Sequence, residues 1–216
     1  VKALILDTET TGFDEPEAVE IAWMSTEDAV SLSFTGQFVN RFQPSKPISM
    51  GAMATHHIMD EDLVDCAPSC CFTLPPDTDY LVGHNVDFDW RVIGEPDVKR
   101  ICTMALSRSL FPQVDSHSLS AMCYHLFRDT ARERLKDAHS AMADVLLCRD
   151  ILRIIVGMLG TDNWHDLWLA SEAARIPKVM PFGKHKGMLV KDLPSDYKSW
   201  LLRQSDVDPY LVEALR

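Results

Sequence analysis

Val1-Lys2-Ala3-Leu4-Ile5-Leu6-Asp7-Thr8-Glu9-Thr10-Thr11-Gly12 is the stretch whose reading decides the fold. Residues 1–6 are mostly apolar and rich in branched side chains, the pattern of a strand buried on both faces. Asp7 falls where that run stops, which predicts an acid at a strand tip, and Thr10, Thr11 and Gly12 supply turn chemistry. Residues 18–23 and 31–42 alternate as further strands, antiparallel neighbours joined by polar turns.

The second half of the pattern alternates strands with helices. Pro44 and Pro47 break the meander, after which Ser49 caps a short helix over 50–55 that delivers His56 and His57 near its end. A proline-rich loop over 68–76 precedes a strand at 80–83 leading into His84 and Asn85. Asp87 or Asp89 then lies in the first turn of a helix running to Ile93, followed by a strand at 100–103 and a helix at 104–110. From Ala141, the apolar positions Val145, Leu146, Ile151, Leu152, Ile154 and Ile155 mark a long amphipathic helix. Ser140 is its expected cap, Gly157 or Gly160 its end, and Asp144 sits in its first turn, with His139 on a mobile loop just ahead. Such an order predicts an α/β fold with its site at strand ends and helix starts.

At 216 residues the chain exceeds the usual single domain, so a core at 1–160 and a small C-terminal module at 161–216 are expected. Its composition, 46% hydrophobic and 25% charged, is that of an ordinary globular protein, and no apolar run approaches the ~20 residues that span a bilayer. A soluble, cytoplasmic protein without a secretory signal or a membrane role is the expectation. Six cysteines without a regular framework read as reduced thiols; the grouping of Cys66, Cys70 and Cys71 near His56 and His57 lacks paired zinc-ligand spacing and reads as loop.

The formal charge of −11 argues at first against a polyanionic ligand. Bound divalent cations, however, reverse the sign of a carboxylate-lined site, and steering fields are local. Arg175, Lys178, Lys184, Lys186 and Lys191 lie in a window without an acidic residue, whereas Arg128, Arg132, Arg134 and Lys136 are diluted by Asp129 and Glu133. In the tail, Lys184 and Lys186 can meet phosphates and Phe182 can stack on a base; equally, Tyr197, Trp200 and Leu201 can form a small core around a turn.

Three separated segments, Asp7-Thr8-Glu9, His84 to Asp89 and His139 to Asp144, offer four carboxylates and a histidine. Carboxylate oxygens suit hard divalent ions, and two ions about 3.5 to 4 Å apart activate a water and stabilise a leaving oxygen. A histidine beside them can take the water's proton. Singly these motifs are common in solvated turns; their order is the informative part.

In that order, Asp7-Thr8-Glu9-Thr10-Thr11-Gly12, His84-Asn85 with Phe88-Asp89, and His139 with Asp144 resemble the DEDDh exonucleases. The run Ile101-Cys102-Thr103-Met104-Ala105-Leu106 and the lysine-bearing tail from Pro181 further resemble the bacterial exodeoxyribonuclease X branch of that family, so the likeness covers nearly the whole chain. The resemblance implies a ribonuclease H-like mixed sheet flanked by helices and removal of nucleoside 5′-monophosphates from DNA 3′ ends. It implies that Asp7, Glu9, Asp89 and Asp144 hold two Mg2+ or Mn2+ ions and that His139 is the general base, five catalytic positions in all. Thr8, Thr10, His56, His84, Asn85 and Phe88 match positions lining the family's nucleotide pocket, while His57 stands where glycine is frequent. RNA as the substrate uses the same residues and stays open, as do a non-catalytic nucleic-acid-binding adaptor and a proofreader whose tail binds a protein partner of unknown identity.

Overall fold

The computed structural model describes residues 1–216. Five strands form one mixed sheet in the order β3-β2-β1-β4-β5, with β1 (Ala3–Thr10) at its centre. β2 (Ala18–Thr26) and β3 (Phe34–Arg41) follow β1 as an antiparallel meander, as the alternation predicts, although β3 starts three residues later than its apolar pattern. β4 (Tyr80–Gly83) and β5 (Lys99–Cys102) add in parallel on the other side. Ala3, Leu4, Ile5 and Leu6 are fully buried because β1 is covered on both faces. This is the ribonuclease H-like mixed sheet.

Asp7 is not at the end of β1: the ladder to β2 continues through Thr8 opposite Ile21 and Glu9 opposite Glu20, and breaks at a bulge between Glu9 and Thr10. Main-chain pairing is indifferent to side-chain polarity, so β1 carries its acids inside the sheet rather than on a turn.

The helices cover the sheet: α1 (Met50–His56), α2 (Val86–Val92), α3 (Thr103–Leu110), α4 (Leu119–Leu126), α5 (Ala131–Arg134), α6 (Ala141–Leu159) and α7 (Trp164–Arg175). α6 lies on β1 and β2 and is the spine of the helical layer, burying Val145, Cys148, Ile151, Leu152 and Ile155. It runs through Gly157 and stops at Gly160, whose left-handed φ of 64° lets its N–H close on the Val156 carbonyl. No helix is long and apolar enough to cross a membrane.

The chain divides into two units, residues 1–171 and 172–216, so the boundary falls about two helical turns beyond Trp164 rather than at 160. The reason is packing. Trp164 is buried, stacks on Tyr80 and donates from Nε1 to the Glu27 carbonyl at 2.9 Å, and Ser171 Oγ accepts from the Cys102 N–H at 2.8 Å. Most of α7 therefore completes the first unit. The second unit contains α8 (Ser195–Leu201) and α9 (Pro209–Leu215) around a core of Met180, Val190, Leu193, Leu201, Leu211 and Leu215.

Candidate active site

Asp7 and Glu9 are two apart on β1, so both project from the same face of the sheet. α6 delivers Asp144 from its first turn onto that face, and oxygens of Asp7, Glu9 and Asp144 all lie within 4.8 Å of one another. Asp89, in the first turn of α2, is buried and stands outside that triplet, fixed by two bonds to its Oδ1: from the Thr8 N–H at 3.0 Å and the Thr8 hydroxyl at 2.7 Å. Asp87, the other acid in that turn, instead pairs with Arg100, whose guanidinium lies 3.9 Å from the Trp90 ring centre.

The electrostatics of the cluster are those of charge without compensation. Burial, then the charges of Asp89, Asp144, Glu9 and Glu20, holds the Asp7 carboxyl well above the usual range. Burial and the neighbouring acids push Glu9 up to about 8. Burial raises Asp89 to about 7 against the pull of the Thr8 bonds, and raises Asp144 to about 6 against the charge and backbone N–H of His139. Three converging carboxylates with no lysine or arginine among them form a donor set of hard oxygens with excess negative charge, which fits divalent cations.

His139 is exposed, adopts a left-handed φ of 68° and stands two residues before α6. Ser140 occupies the cap position as expected but does not cap with its side chain. That task falls to Glu20, a buried residue that sequence reading passed over. Its Oε2 accepts from the Ala141 N–H at 3.0 Å and its Oε1 from Arg41 Nε at 3.4 Å, tying the start of α6 to β2. An acid in the first turn's reach also satisfies the helix dipole.

The residues expected to line a nucleotide pocket divide into two groups. Thr8 spends its hydroxyl on Asp89, and the Thr10 hydroxyl donates to the Gly12 carbonyl at 3.1 Å. His56 is buried; its Nδ1 accepts from the Ile58 N–H at 3.0 Å, so Nε2 carries the proton donated to the Thr10 carbonyl at 3.2 Å. His84 uses Nδ1 with the Thr103 hydroxyl and Nε2 with the His117 carbonyl, and burial holds its pKa down at about 4. These four are committed to protein partners, whereas Asn85 is exposed at the start of α2 and Phe88 is half-buried. His57 takes a left-handed φ of 61° at the end of α1, the conformation that makes glycine favourable there. Phe13, unremarked in the sequence, is 93% exposed and meets the Phe88 ring edge-on at 6.0 Å between centroids. Its only signal was a large aromatic directly after the turn glycine.

A mixed sheet whose central strand and a helix start bring three acids together is the ribonuclease H-like class of fold with a cluster that could hold a metal ion. Residues 4–152 match the family model described as Exonuclease, of the RNase T type, and the chain belongs to that family. Over 210 residues it is 29% identical to exodeoxyribonuclease 10 of Escherichia coli strain K12, covering 94% of this chain and 91% of that one. It is 26% identical to the DNA polymerase III subunit epsilon of Rickettsia conorii, covering 73% of this chain and 74% of the other. Among solved structures, exonuclease X in complex with 5′-overhanging duplex DNA superposes with a TM-score of 0.64 at 26% identity, over 78% of this chain and 99% of that one. Residues 173–207 match a second model, named for a quorum-sensing-regulated virulence factor.

Proposed function

We propose that this protein is a metal-dependent 3′-to-5′ exodeoxyribonuclease releasing nucleoside 5′-monophosphates. The observation that carries the reading is the convergence of Asp7, Glu9 and Asp144 within 4.8 Å, with Asp89 held beside them and His139 at the helix start. The likeness to exodeoxyribonuclease 10 along nearly its full length, and to a nuclease solved with DNA, supports DNA as the polymer.

Two divalent ions, Mg2+ or Mn2+, when bound supply the positive charge that activates water and balances the leaving 3′ oxygen. Asp7, Glu9, Asp89 and Asp144 would hold them. Thr8 keeps Asp89 ionised and aimed; Glu20 anchors the turn from which His139 and Asp144 work together. His139, exposed two residues before α6, takes the proton of the attacking water. Asn85, exposed, and Phe88, half-buried, are the members of the expected pocket not committed to protein hydrogen bonds, and they contact the terminal nucleotide.

The test is incubation with Mg2+ and matched DNA and RNA oligonucleotides labelled at the 5′ end, with Asp7→Ala as control. A ladder shortening from the DNA 3′ end is expected. A ladder on RNA alone reassigns the substrate, and equal cleavage by Asp7→Ala refutes the site.

A further inference from the structure

The second unit carries a feature that its small core does not require. A loop closed by a bridge between Val179 and Leu189 is tightened by the Gly187 N–H bonding to the Met180 carbonyl and the Met180 N–H to the Met188 carbonyl, each at 2.8 Å. Gly183 and Gly187, at φ 70° and 83°, turn the chain at the tip, so Phe182, Lys184 and Lys186 are all presented to solvent. Lys184 Nζ lies 5.3 Å from the centre of the Tyr197 ring, the His185 ring meets the same tyrosine at 4.5 Å, and Tyr197 stacks on Trp200 at 5.5 Å and 26°. Tyr197 packs on the core, but Trp200 lies outside it and stays 47% exposed, as does Phe182 at 46%.

Charge separates this surface from the rest of the chain. Residues 172–216 hold eight basic and six acidic side chains, a net of +2, against −11 for the whole, so the first unit carries −13. No acid lies between Glu172 and Asp192, the span that contains the loop. A π-face beside lysines is the chemistry of sequence-tolerant single-strand binding.

We infer that the C-terminal unit is a second nucleic-acid site, a platform on which Trp200, backed by Tyr197, stacks a base of single-stranded DNA while Lys184 and Lys186 meet its phosphates. This rests on the proposed nuclease function for its choice of DNA, and it adds a holding site separate from the acids that cut. The unit would keep a tethered strand at high local concentration between cutting events.

The experiment measures binding of the full chain to a fluorescently labelled oligothymidine of about 20 nucleotides in EDTA, by anisotropy across a salt series. Trp200→Ala is expected to weaken binding about tenfold and Trp200→Phe to restore most of it. The double variant Lys184→Gln/Lys186→Gln should make the slope of log affinity against log salt shallower by about 1.4. Mg2+-dependent cleavage of a labelled trinucleotide should be unchanged in these variants and lost in Asp7→Ala. Unchanged affinity and salt slope overturn the platform, as does a Trp200→Phe variant that binds no better than Trp200→Ala. Failure of the wild type to cut the trinucleotide refutes the nuclease reading and leaves the binding result to decide the platform on its own.

Discussion

Replacing Thr8 by valine removes one hydroxyl of similar volume and tests the electrostatics of the site directly. Asp89 is buried with its Oδ1 bonded at 2.7 Å by that hydroxyl and at 3.0 Å by the Thr8 N–H, and still sits at about 7. A hydrogen bond to a charged group contributes about 1.5–3 kcal/mol, and one pKa unit is about 1.4 kcal/mol, so losing it raises Asp89 by roughly one to two units. At pH 7.5 the carboxylate then passes from mostly ionised to mostly protonated, and because only the ionised form holds a cation, the Mg2+ needed for half-maximal activity rises about tenfold. At pH 9.5 Asp89 is ionised in both proteins and the gap closes. The assay is initial rate against Mg2+ at the two pH values. A Mg2+ requirement equal to wild type at pH 7.5 refutes the reasoning; a deficit of the same size at both pH values also does, since it assigns the hydroxyl to geometry rather than to ionisation.

Asp7→Ala should abolish Mg2+-dependent hydrolysis, with folding preserved by circular dichroism; residual turnover near the wild-type rate counts against the site. The raised pKa values of Glu9, Asp89 and Asp144 set a pH dependence of stability. A carboxyl raised by folding contributes stability fully below its ordinary range and loses it as pH climbs through the folded value, here between about 6 and 8. In EDTA the melting temperature should therefore be higher at pH 5.5 than at pH 8.5, and Mg2+ should raise it more at pH 8.5; the opposite order refutes the account. Glu20→Ala should cost about 1–3 kcal/mol in urea titration by leaving the Ala141 N–H unpaired, and lower activity by loosening the turn that holds His139, whereas Glu20→Gln keeps an acceptor and most of both.

The acids drew attention through the order of their motifs and its family resemblance, and the spacing of Asp7 and Glu9, two apart on a strand, gave their shared direction. The extent of β1 was not legible, because Asp7-Thr8-Glu9-Thr10 has the composition of a turn, and only pairing with β2 shows that the strand continues. Glu20 was invisible for a related reason. A lone acid in an alternating strand reads as solvent-facing, and its role depends on a helix start 121 residues away. The sequence marked His56 and His84 as site residues, but the partners of their ring nitrogens come from distant carbonyls and hydroxyls that no local pattern encodes. The unit boundary moved for the same kind of reason, since Trp164 finds Tyr80 only in three dimensions.

The order of the acids along the chain has a consequence for synthesis. Asp7 and Glu9 emerge early, Asp89 in the middle and Asp144 much later, on the helix that also covers β1. At about 5–20 residues per second, some 7–27 s separate Glu9 from Asp144 on the ribosome. Throughout that interval the polypeptide lacks both the last acid and the histidine beside it. A nascent chain, or one truncated before α6, is thus harmless to any nucleic acid it meets, and cutting power arrives only with the helix that closes the core.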